Sequence, residues 1–582
     1  MLLSLFGARL FQLQGVDSKA YASRAEASGL VNIALPAKRG KILDRNGTPL
    51  AESIAGMMIV ADPTRTTANA EAIAKLLADR LHLDYFDLLG KLTKESDNPG
   101  TKFREDRVRF VYIARRIPST LASSVMDELK AHDYVGVDTR PDPLRTYPAG
   151  DVGANLIGYL GDDPTKVSGG LERSFNNLLA GKDGKETYEV GGGNRIPLGD
   201  NSQVKPVNGK DLKLTIDRDV QWYSQRVLRT AVQSAKAESG AAVVLDSQTG
   251  EILALADYPT FDANKPGKAP EEDLGSRALS DVYEPGSVEK VLTISSLLDA
   301  GKVTPRTRFT VPESLPVLDR IIGDWFDHGT IRLTMAGVLA RSSNIGTALA
   351  ATQFEPEQLW RYLDMFGLGH RTDIGMPGET RGMLGNGADW STLTRAQVAF
   401  GQGLSVNALQ MATAVNTIAN GGQLITPSLV SGRATTASGA EVGTETSKKR
   451  TVVSPEAARQ TAQMMELVTT QDVGTAPGAG IEGYRVAGKT GTAQEVGGDC
   501  KCYADGGLAV SFAGFAPADK PRFTVYTMIM RPAEGASGGG TAGPVFRKIL
   551  NYVLQKYAVP PTGTAPSKIP TKWGRHARET DG

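Results

Sequence analysis

Gly240-Ala241-Ala242-Val243-Val244-Leu245-Asp246-Ser247-Gln248-Thr249-Gly250-Glu251-Ile252-Leu253-Ala254-Leu255-Ala256 is the stretch whose reading decides the fold. Two unbroken apolar runs, Ala241–Leu245 and Ile252–Ala256, flank the turn residues Gln248-Thr249-Gly250. Short apolar runs bounded by turn residues are the pattern of strands buried on both faces, so this stretch predicts a hairpin of a buried sheet. Downstream, helical spacing of apolar residues covers 287–300, 333–352 and 356–366 and recurs within 396–419. Strand-like runs return at 508–516 and 523–530, followed by a Gly-rich loop at 534–543 and an amphipathic helix at 544–557. Hairpin, helical block, two late strands and terminal helix predict an α+β domain, an antiparallel sheet covered by helices. The Ser/Thr/Gly-rich residues 431–450 read as an exposed insertion, and the proline-containing residues 559–582 as a disordered tail.

Upstream of the hairpin the pattern changes. A chain of 582 residues exceeds one ordinary core. Polar Asp200-Asn201-Ser202-Gln203, ahead of an apolar strand at Leu212–Ile216, predicts a boundary there. The expected division is a first domain at 15–205, a second at 206–558 and the tail at 559–582. In the first domain, Asp44-Arg45-Asn46-Gly47 between apolar stretches predicts strand, turn and strand. Residues 68–94 predict one or two helices, Phe110–Ile113 a strand and Thr120–Lys130 a helix. The glycines and charged residues of Arg145–Gly150, Gly158–Gly161 and Gly170–Glu172 read as packing and turn residues, not chemistry.

Composition narrows the function. The net charge of +1 lacks the basic excess that a nucleic-acid binder uses to neutralise phosphates. Five histidines and two cysteines make a His- or Cys-rich metal centre a poor reading, and Cys500 and Cys502 have no further ligands at metal spacing. They read as a loop pair without a catalytic role. Residues 1–14, MLLSLFGARLFQLQ, are apolar but short of the roughly 20 residues that span a bilayer. The outer half of a membrane helix, a short interfacial helix and a buried helix are the competing readings.

Three short motifs carry the candidate chemistry. In Tyr283-Glu284-Pro285-Gly286-Ser287-Val288-Glu289-Lys290, Ser287 opens a helix and Lys290 lies three residues on, on the same face. A serine hydroxyl is a weak nucleophile until a base takes its proton, and a lysine serves once burial or nearby cations lower its pKa. Ser342-Ser343-Asn344 stands at a helix junction, where a hydroxyl and an amide more often form a cap. Gly488-Lys489-Thr490-Gly491-Thr492-Ala493-Gln494 reads as a strand in which glycines admit a ligand backbone and a cation with hydroxyls holds a carboxylate. The spacing from Gly483 to Thr490 formally matches a phosphate loop, but Gly491-Thr492-Ala493 does not read as the start of a helix. Each motif alone is weak; the conjunction is specific.

Ser-x-x-Lys, Ser-x-Asn and Lys-Thr-Gly, in that order, resemble the set known from β-lactamases and penicillin-binding proteins. From Arg39 to about Tyr557 the chain resembles a class B penicillin-binding protein. RGKILDRNG, RTYPAGDVGANLIGYLG and GLERSFNNLLAG resemble that family's pedestal motifs, and YEPGSVEK, RSSN and GKTGTAQ its catalytic ones. The resemblance implies a penicillin-binding/β-lactamase-like transpeptidase domain on an N-terminal pedestal. It also implies a single membrane anchor, of which residues 1–14 would be a truncated part. Asn344 resembles the septal, division-type members. Val288-Glu289 departs from many relatives, which carry Thr and an apolar or aromatic residue there.

The mechanism implied by the resemblance is acyl transfer. Ser287 attacks the carbonyl between the terminal D-alanines (D-Ala-D-Ala) of a peptidoglycan stem peptide, and Lys290 takes its proton. Ser342, with Lys489, returns a proton to the leaving amine, while Asn344 orients peptide and Lys290. Ser287 and Thr492 N–H groups form the oxyanion hole. Lys489, Thr490 and Thr492, around Gly491, hold the substrate carboxylate. No metal or cofactor is implied. Implied partners are β-lactams, the membrane, a glycan polymerase of the SEDS type and division proteins. The rival readings are a hydrolase (carboxypeptidase or β-lactamase) and a non-catalytic scaffold or sensor. No convincing glutamate-to-asparagine element for deacylating water stands between Asn344 and Lys489, which weighs against a class A β-lactamase.

Overall fold

A computed structural model describes residues 30–93, 110–161, 169–191, 194–195, 201–355, 357–495 and 507–574. The apolar residues 1–14, Cys500 and Cys502 lie outside the described residues. Among the described residues, no helix is long and apolar enough to cross a membrane.

The chain divides into two units. One comprises the residues up to Lys41, Ala51–Thr146 and Asn177–Asp211; the other comprises Ile42–Leu50, Tyr147–Asn176 and the residues from Leu212 onward. This differs from the single cut expected near residue 205. Residues 147–176 join the second unit because their polar groups bond to its body. Gly153 donates to Gln225 Oε1 at 2.8 Å, Asn155 Nδ2 donates to the Asp273 and Gly275 carbonyls at 2.8 Å each, and Arg229 pairs with Asp151 at 2.5 Å. Tyr147 donates its N–H to Asn264 Oδ1 at 3.0 Å, and its hydroxyl accepts from Leu160 N–H at 2.8 Å. These residues serve the scaffold, as their pattern predicted.

In the first unit, strands Val111–Pro118, Gly56–Ala61 and Val137–Pro141 form an antiparallel sheet in that order. Residues 68–94 resolve into two helices, Ala70–Leu81 and Tyr85–Leu92, parted by His82 in the left-handed conformation at φ 55°. Their apolar faces join Ser119–Ala131 over the sheet, burying Ile73, Leu77, Leu88, Val125 and Leu129.

The second unit is built on a five-stranded antiparallel sheet. Its strands are β1 (Ser239–Asp246), β2 (Ile252–Tyr258), β3 (Ala487–Gln494), β4 (Leu508–Ala516) and β5 (Phe523–Met530), in the order β2-β1-β5-β4-β3. The predicted hairpin is β1–β2, at one edge. Asp246 closes its turn by accepting from the Gln248 and Thr249 N–H groups at 3.0 and 3.1 Å, and Gly250 supplies φ 74°. Helices α1 (Arg218–Ser234) and α7 (Gly543–Lys556) bury Leu228, Val232, Phe546, Ile549 and Leu550 with one face of the sheet. Helices α2 (Lys290–Asp299), α5 (Ala408–Ala419) and α6 (Pro455–Glu466) pack together and against the sheet. Two short helices, α3 (Met335–Ala340) and α4 (Asn344–Ala351), flank the second motif.

Three expectations change. The helical pattern within 396–419 breaks into Thr392–Ala399 and α5, because Gly401 (φ 92°) and Gly403 (φ 76°) turn the chain toward the first motif. A Cβ on Gly401 would stand 1.9 Å from the Gly286 carbonyl. The segment 431–450 is not simply exposed: Ala434 and Val442 are buried, and short strands Ala434–Thr435 and Glu441–Val442 pair. The tail is ordered from residue 559 to 574. Thr562 N–H donates to the Gly483 carbonyl at 2.8 Å, Thr334 N–H to the Thr571 carbonyl at 3.0 Å and Trp573 Nε1 to the Phe309 carbonyl at 3.0 Å. A proline-rich extended segment lacks the apolar periodicity that signals packing, yet its N–H and carbonyl groups pair with partners on the domain.

Candidate active site

The first motif is set by a tight approach between loop and sheet. Gly286 takes φ 54°, and a Cβ there would lie 2.9 Å from the Thr492 carbonyl. Residues Gly286–Val288 form a 3₁₀ turn, and the α-helix proper begins at Lys290, slightly later than the sequence predicted. Ser287 is half-buried at this turn, whereas Lys290 and Glu289 are fully buried. The opposite wall is β3, an edge strand. A Cβ on Gly491 would stand 2.2 Å from Ser511 Oγ and 3.1 Å from the Pro285 carbonyl, so only glycine lets the two motifs meet. Gly488–Thr490 lies inside the β3–β4 ladder, which disposes of a phosphate loop.

The second motif enters between α3 and α4. Ser342 adopts φ 60°, a left-handed conformation that a serine holds only when its surroundings impose it. Ser343 is the N-cap of α4, accepting from Gly346 N–H at 2.8 Å. The cap reading therefore applies to the middle serine, while the residues on either side face the lysines.

Those lysines converge. Lys290 Nζ donates to the Ser342 carbonyl at 2.7 Å and to Asn344 Oδ1 at 2.7 Å, and lies 3.4 Å from Ser342 Oγ. Lys489 Nζ donates to Ser342 Oγ at 2.8 Å, to the Thr490 carbonyl at 3.0 Å and to Thr490 Oγ1 at 3.2 Å. Thr492, exposed, accepts from Gly538 N–H at 3.3 Å. Ser342, Asn344, Lys290, Lys489 and Thr490 thus form one hydrogen-bonded cluster, and Gly491 and Thr492 continue its wall along β3. Ser287 stands beside it without a hydrogen bond to Lys290.

Burial brings the Lys290 amine down to about 7, against the opposing pull of Asp324 and Glu289. Burial, then the neighbouring Lys290 charge, holds Lys489 well below the ordinary lysine value. Burial pushes Glu289 well above the usual carboxylate range, with Thr293 and Lys290 opposing. A neutral Lys290 has two N–H groups for its two 2.7 Å acceptors and a lone pair left for a proton. That is the electronic state a base beside a serine needs.

Sequence reasoning missed Asp324 and His328. Asp324 accepts from Ser343 Oγ at 2.7 Å, and from the Asn344 and Ile345 N–H groups at 2.6 and 3.0 Å. No spacing pattern links residue 324 to 343; a histidine and two acids in Asp324-Trp325-Phe326-Asp327-His328 were the only hint.

Comparison with known proteins decides the family. Residues 240–551 match the penicillin binding protein transpeptidase domain, and residues 34–214 the penicillin-binding protein dimerisation domain. The chain belongs to the penicillin-binding protein transpeptidase family. Among relatives of this family, the penicillin-binding protein PbpB of Mycolicibacterium smegmatis is 34% identical over 96% of this chain and 89% of its own length. The peptidoglycan D,D-transpeptidase FtsI of Escherichia coli is 34% identical over 90% of this chain and 84% of its own. A solved structure of penicillin binding protein 3 from Mycobacterium tuberculosis, complexed with aztreonam, superposes with a TM-score of 0.70. It is 30% identical, covering 93% of this chain and all of that one. The penicillin-binding fold expected from the sequence, α+β with an N-terminal dimerisation domain, is the fold found.

Proposed function

We propose that this chain is a serine-type peptidoglycan D,D-transpeptidase of the FtsI-like division type, and a target of β-lactams. The observation that carries the reading is the convergence of two buried lysines on Ser342 beside the Ser287 turn. Relatives named D,D-transpeptidase over nearly the whole chain support it.

Ser287 Oγ attacks the carbonyl of the penultimate D-alanine, and its proton passes to the Lys290 lone pair. The oxyanion that forms is held by the N–H groups of Ser287 and Thr492. An edge strand leaves alternate N–H groups unclaimed by the ladder, and such donors are worth about 3 kcal/mol each in the transition state. As the C–N bond breaks, the departing D-alanine amine takes a proton through Ser342, which Lys489 keeps oriented. Asn344 holds Lys290 through Oδ1. Lys489, Thr490 and Thr492 receive the terminal carboxylate, with Gly491 keeping that wall close. The amine of a second stem then displaces Ser287 and forms the cross-link.

The apolar residues 1–14 support a tether in the cell membrane with the bulk of the chain outside the cytoplasm. Family resemblance supports association with a SEDS-type glycan polymerase and division proteins.

The test is partition of the acyl group. Full-length chain given a D-Ala-D-Ala stem donor and a D-amino acid acceptor should form the ligated product, by mass spectrometry, in preference to the hydrolysed stem. Hydrolysis alone, or rapid turnover of a β-lactam, would establish the hydrolase instead.

A further inference from the structure

The loop before the second motif holds a buried carboxylate–imidazole pair that the reaction scheme does not use. Asp324 and His328 are 0% and 6% exposed at their side chains, with His328 Nε2 3.1 Å from Asp324 Oδ2. Asp324 spends all its acceptor capacity. Oδ1 receives the Asn344 and Ile345 N–H groups at 2.6 and 3.0 Å, and Oδ2 receives Ser343 Oγ at 2.7 Å together with the imidazole. The other ring nitrogen, His328 Nδ1, faces the Gly329 carbonyl at 2.5 Å. Both nitrogens point at acceptors, and a neutral imidazole has a single N–H. The ring satisfies both contacts only as the imidazolium.

The same loop grips the motif elsewhere. Trp325 Nε1 donates to the Arg341 carbonyl at 2.8 Å, and Asn344 Nδ2 donates to the Gly323 carbonyl at 3.0 Å. Phe326 bridges the two ends, its ring centroid 5.2 Å from Trp325 and 4.9 Å from His328. The grips fall on either side of Ser342, the residue held at φ 60°. A left-handed serine persists only where neighbours over-determine it. Here they are Arg341 on one side and Ser343, Asn344 and Ile345 on the other.

We propose that Asp324 and His328 form an ion-paired positioning unit: the carboxylate locks the second motif in the geometry that receives Lys290, and the imidazolium cancels that carboxylate's field at the lysine. Neither residue touches substrate in this assignment; both act through Ser343, Asn344 and Lys290. The groups facing Lys290 agree with it. Burial raises Glu289 on the same turn well above the usual carboxylate range and lowers Lys489 on β3, and of the two carboxylates that pull on Lys290 Asp324 is the one paired with an imidazole. The inference rests on Lys290 acting as the base of the proposed transpeptidase.

The test is the pH profile of acylation of the full-length chain by a fluorescent penicillin, between about pH 5 and pH 9. His328→Gln keeps a donor but removes the charge, leaving Asp324 uncompensated. Its midpoint should rise by about half a unit or more, with rates at neutral pH about three- to tenfold lower. Asp324→Asn removes the negative charge, so its midpoint should fall, while its plateau drops about tenfold because one of the two acceptor oxygens becomes an N–H donor and either Ser343 or the first turn of α4 loses its partner. Ser343→Ala should lower the plateau and leave the midpoint in place. The double variant His328→Gln/Asp324→Asn should return toward the parent's midpoint. If either single charge variant melts cooperatively yet keeps the parent's midpoint, or if both midpoints move the same way, the proposal is overturned. A parent that takes no label, or a Ser287→Ala variant that still does, would instead overturn the underlying reading of the site.

Discussion

Lys489 donates to Ser342 Oγ at 2.8 Å, and Lys290 Nζ stands 3.4 Å from the same hydroxyl. One hydroxyl therefore links the amine on α2 to the amine on β3, among buried side chains. Burial lowers both amines from the ordinary lysine value, Lys290 to about 7, and the Lys290 charge lowers Lys489 further. In the proposed mechanism Ser342 passes a proton to the leaving amine, so its loss should act on rate. Ser342→Ala should reduce β-lactam acylation about a hundredfold or more while the melting temperature moves little. Stopped-flow labelling with a fluorescent penicillin, paired with a thermal melt, checks this.

The pH dependence of the parent follows from Lys290. In the proposed mechanism its amine must be neutral to accept the Ser287 proton, and burial brings it to about 7. Acylation should rise with pH through a midpoint near that value and level off above it. A rate independent of pH from about 5.5 to 8.5 would mean that another group takes the proton.

Glu289 makes a prediction about stability. It is fully buried, with Oε1 accepting from Thr293 Oγ1 at 2.7 Å and Oε2 without a partner. Its folded-state pKa lies well above the unfolded value, which is about 4.3. Stability from the neutral acid is complete below about pH 4.3 and is lost as pH rises through the folded value. Glu289→Gln keeps shape and neutrality without that loss. Its melting temperature should gain on the parent as pH is raised above about 4.3, measured by differential scanning fluorimetry across pH. A constant difference across pH would contradict the neutral assignment.

How legible this was in the sequence depended on sequence distance. Ser287 with Lys290, and Lys489 with Thr490, Gly491 and Thr492, are local patterns whose secondary structure fixes their mutual placement. The hairpin 241–256 and the helix 544–557 were legible for the same reason, since their apolar residues follow the period of their element. Asp324 and His328 were not, because a loop contributes them from outside the motif and their roles are hydrogen bonds without periodicity. The glycine pair Gly401 and Gly403 hid within a helical pattern whose apolar residues continue on both sides. The interleaving of residues 147–176 with the second unit depends on single polar contacts such as Asn155 to Asp273 and Gly275.

The ordered tail gives a further prediction. Glu466, 5% exposed at its side chain, pairs with Arg485 Nη2 at 2.6 Å and accepts from Ser567 Oγ at 2.8 Å. Breaking a buried ion pair by removing one partner destabilises by about 3–5 kcal/mol, because a buried charge is left behind. Arg485→Ala should therefore lower thermal stability far more than Ser567→Ala, which removes a neutral hydrogen bond worth about 1 kcal/mol. Equal melting temperatures for the two variants would show that the clamp does not hold the tail.

The most direct measurement is where a β-lactam ends up. The full-length chain, incubated with a penicillin and digested, should carry one stable adduct, mapped by tandem mass spectrometry to Ser287 and lost in Ser287→Ala and Lys290→Ala. An adduct on a different residue, or none on a protein that melts cooperatively, would contradict the assignment of Ser287 as the nucleophile.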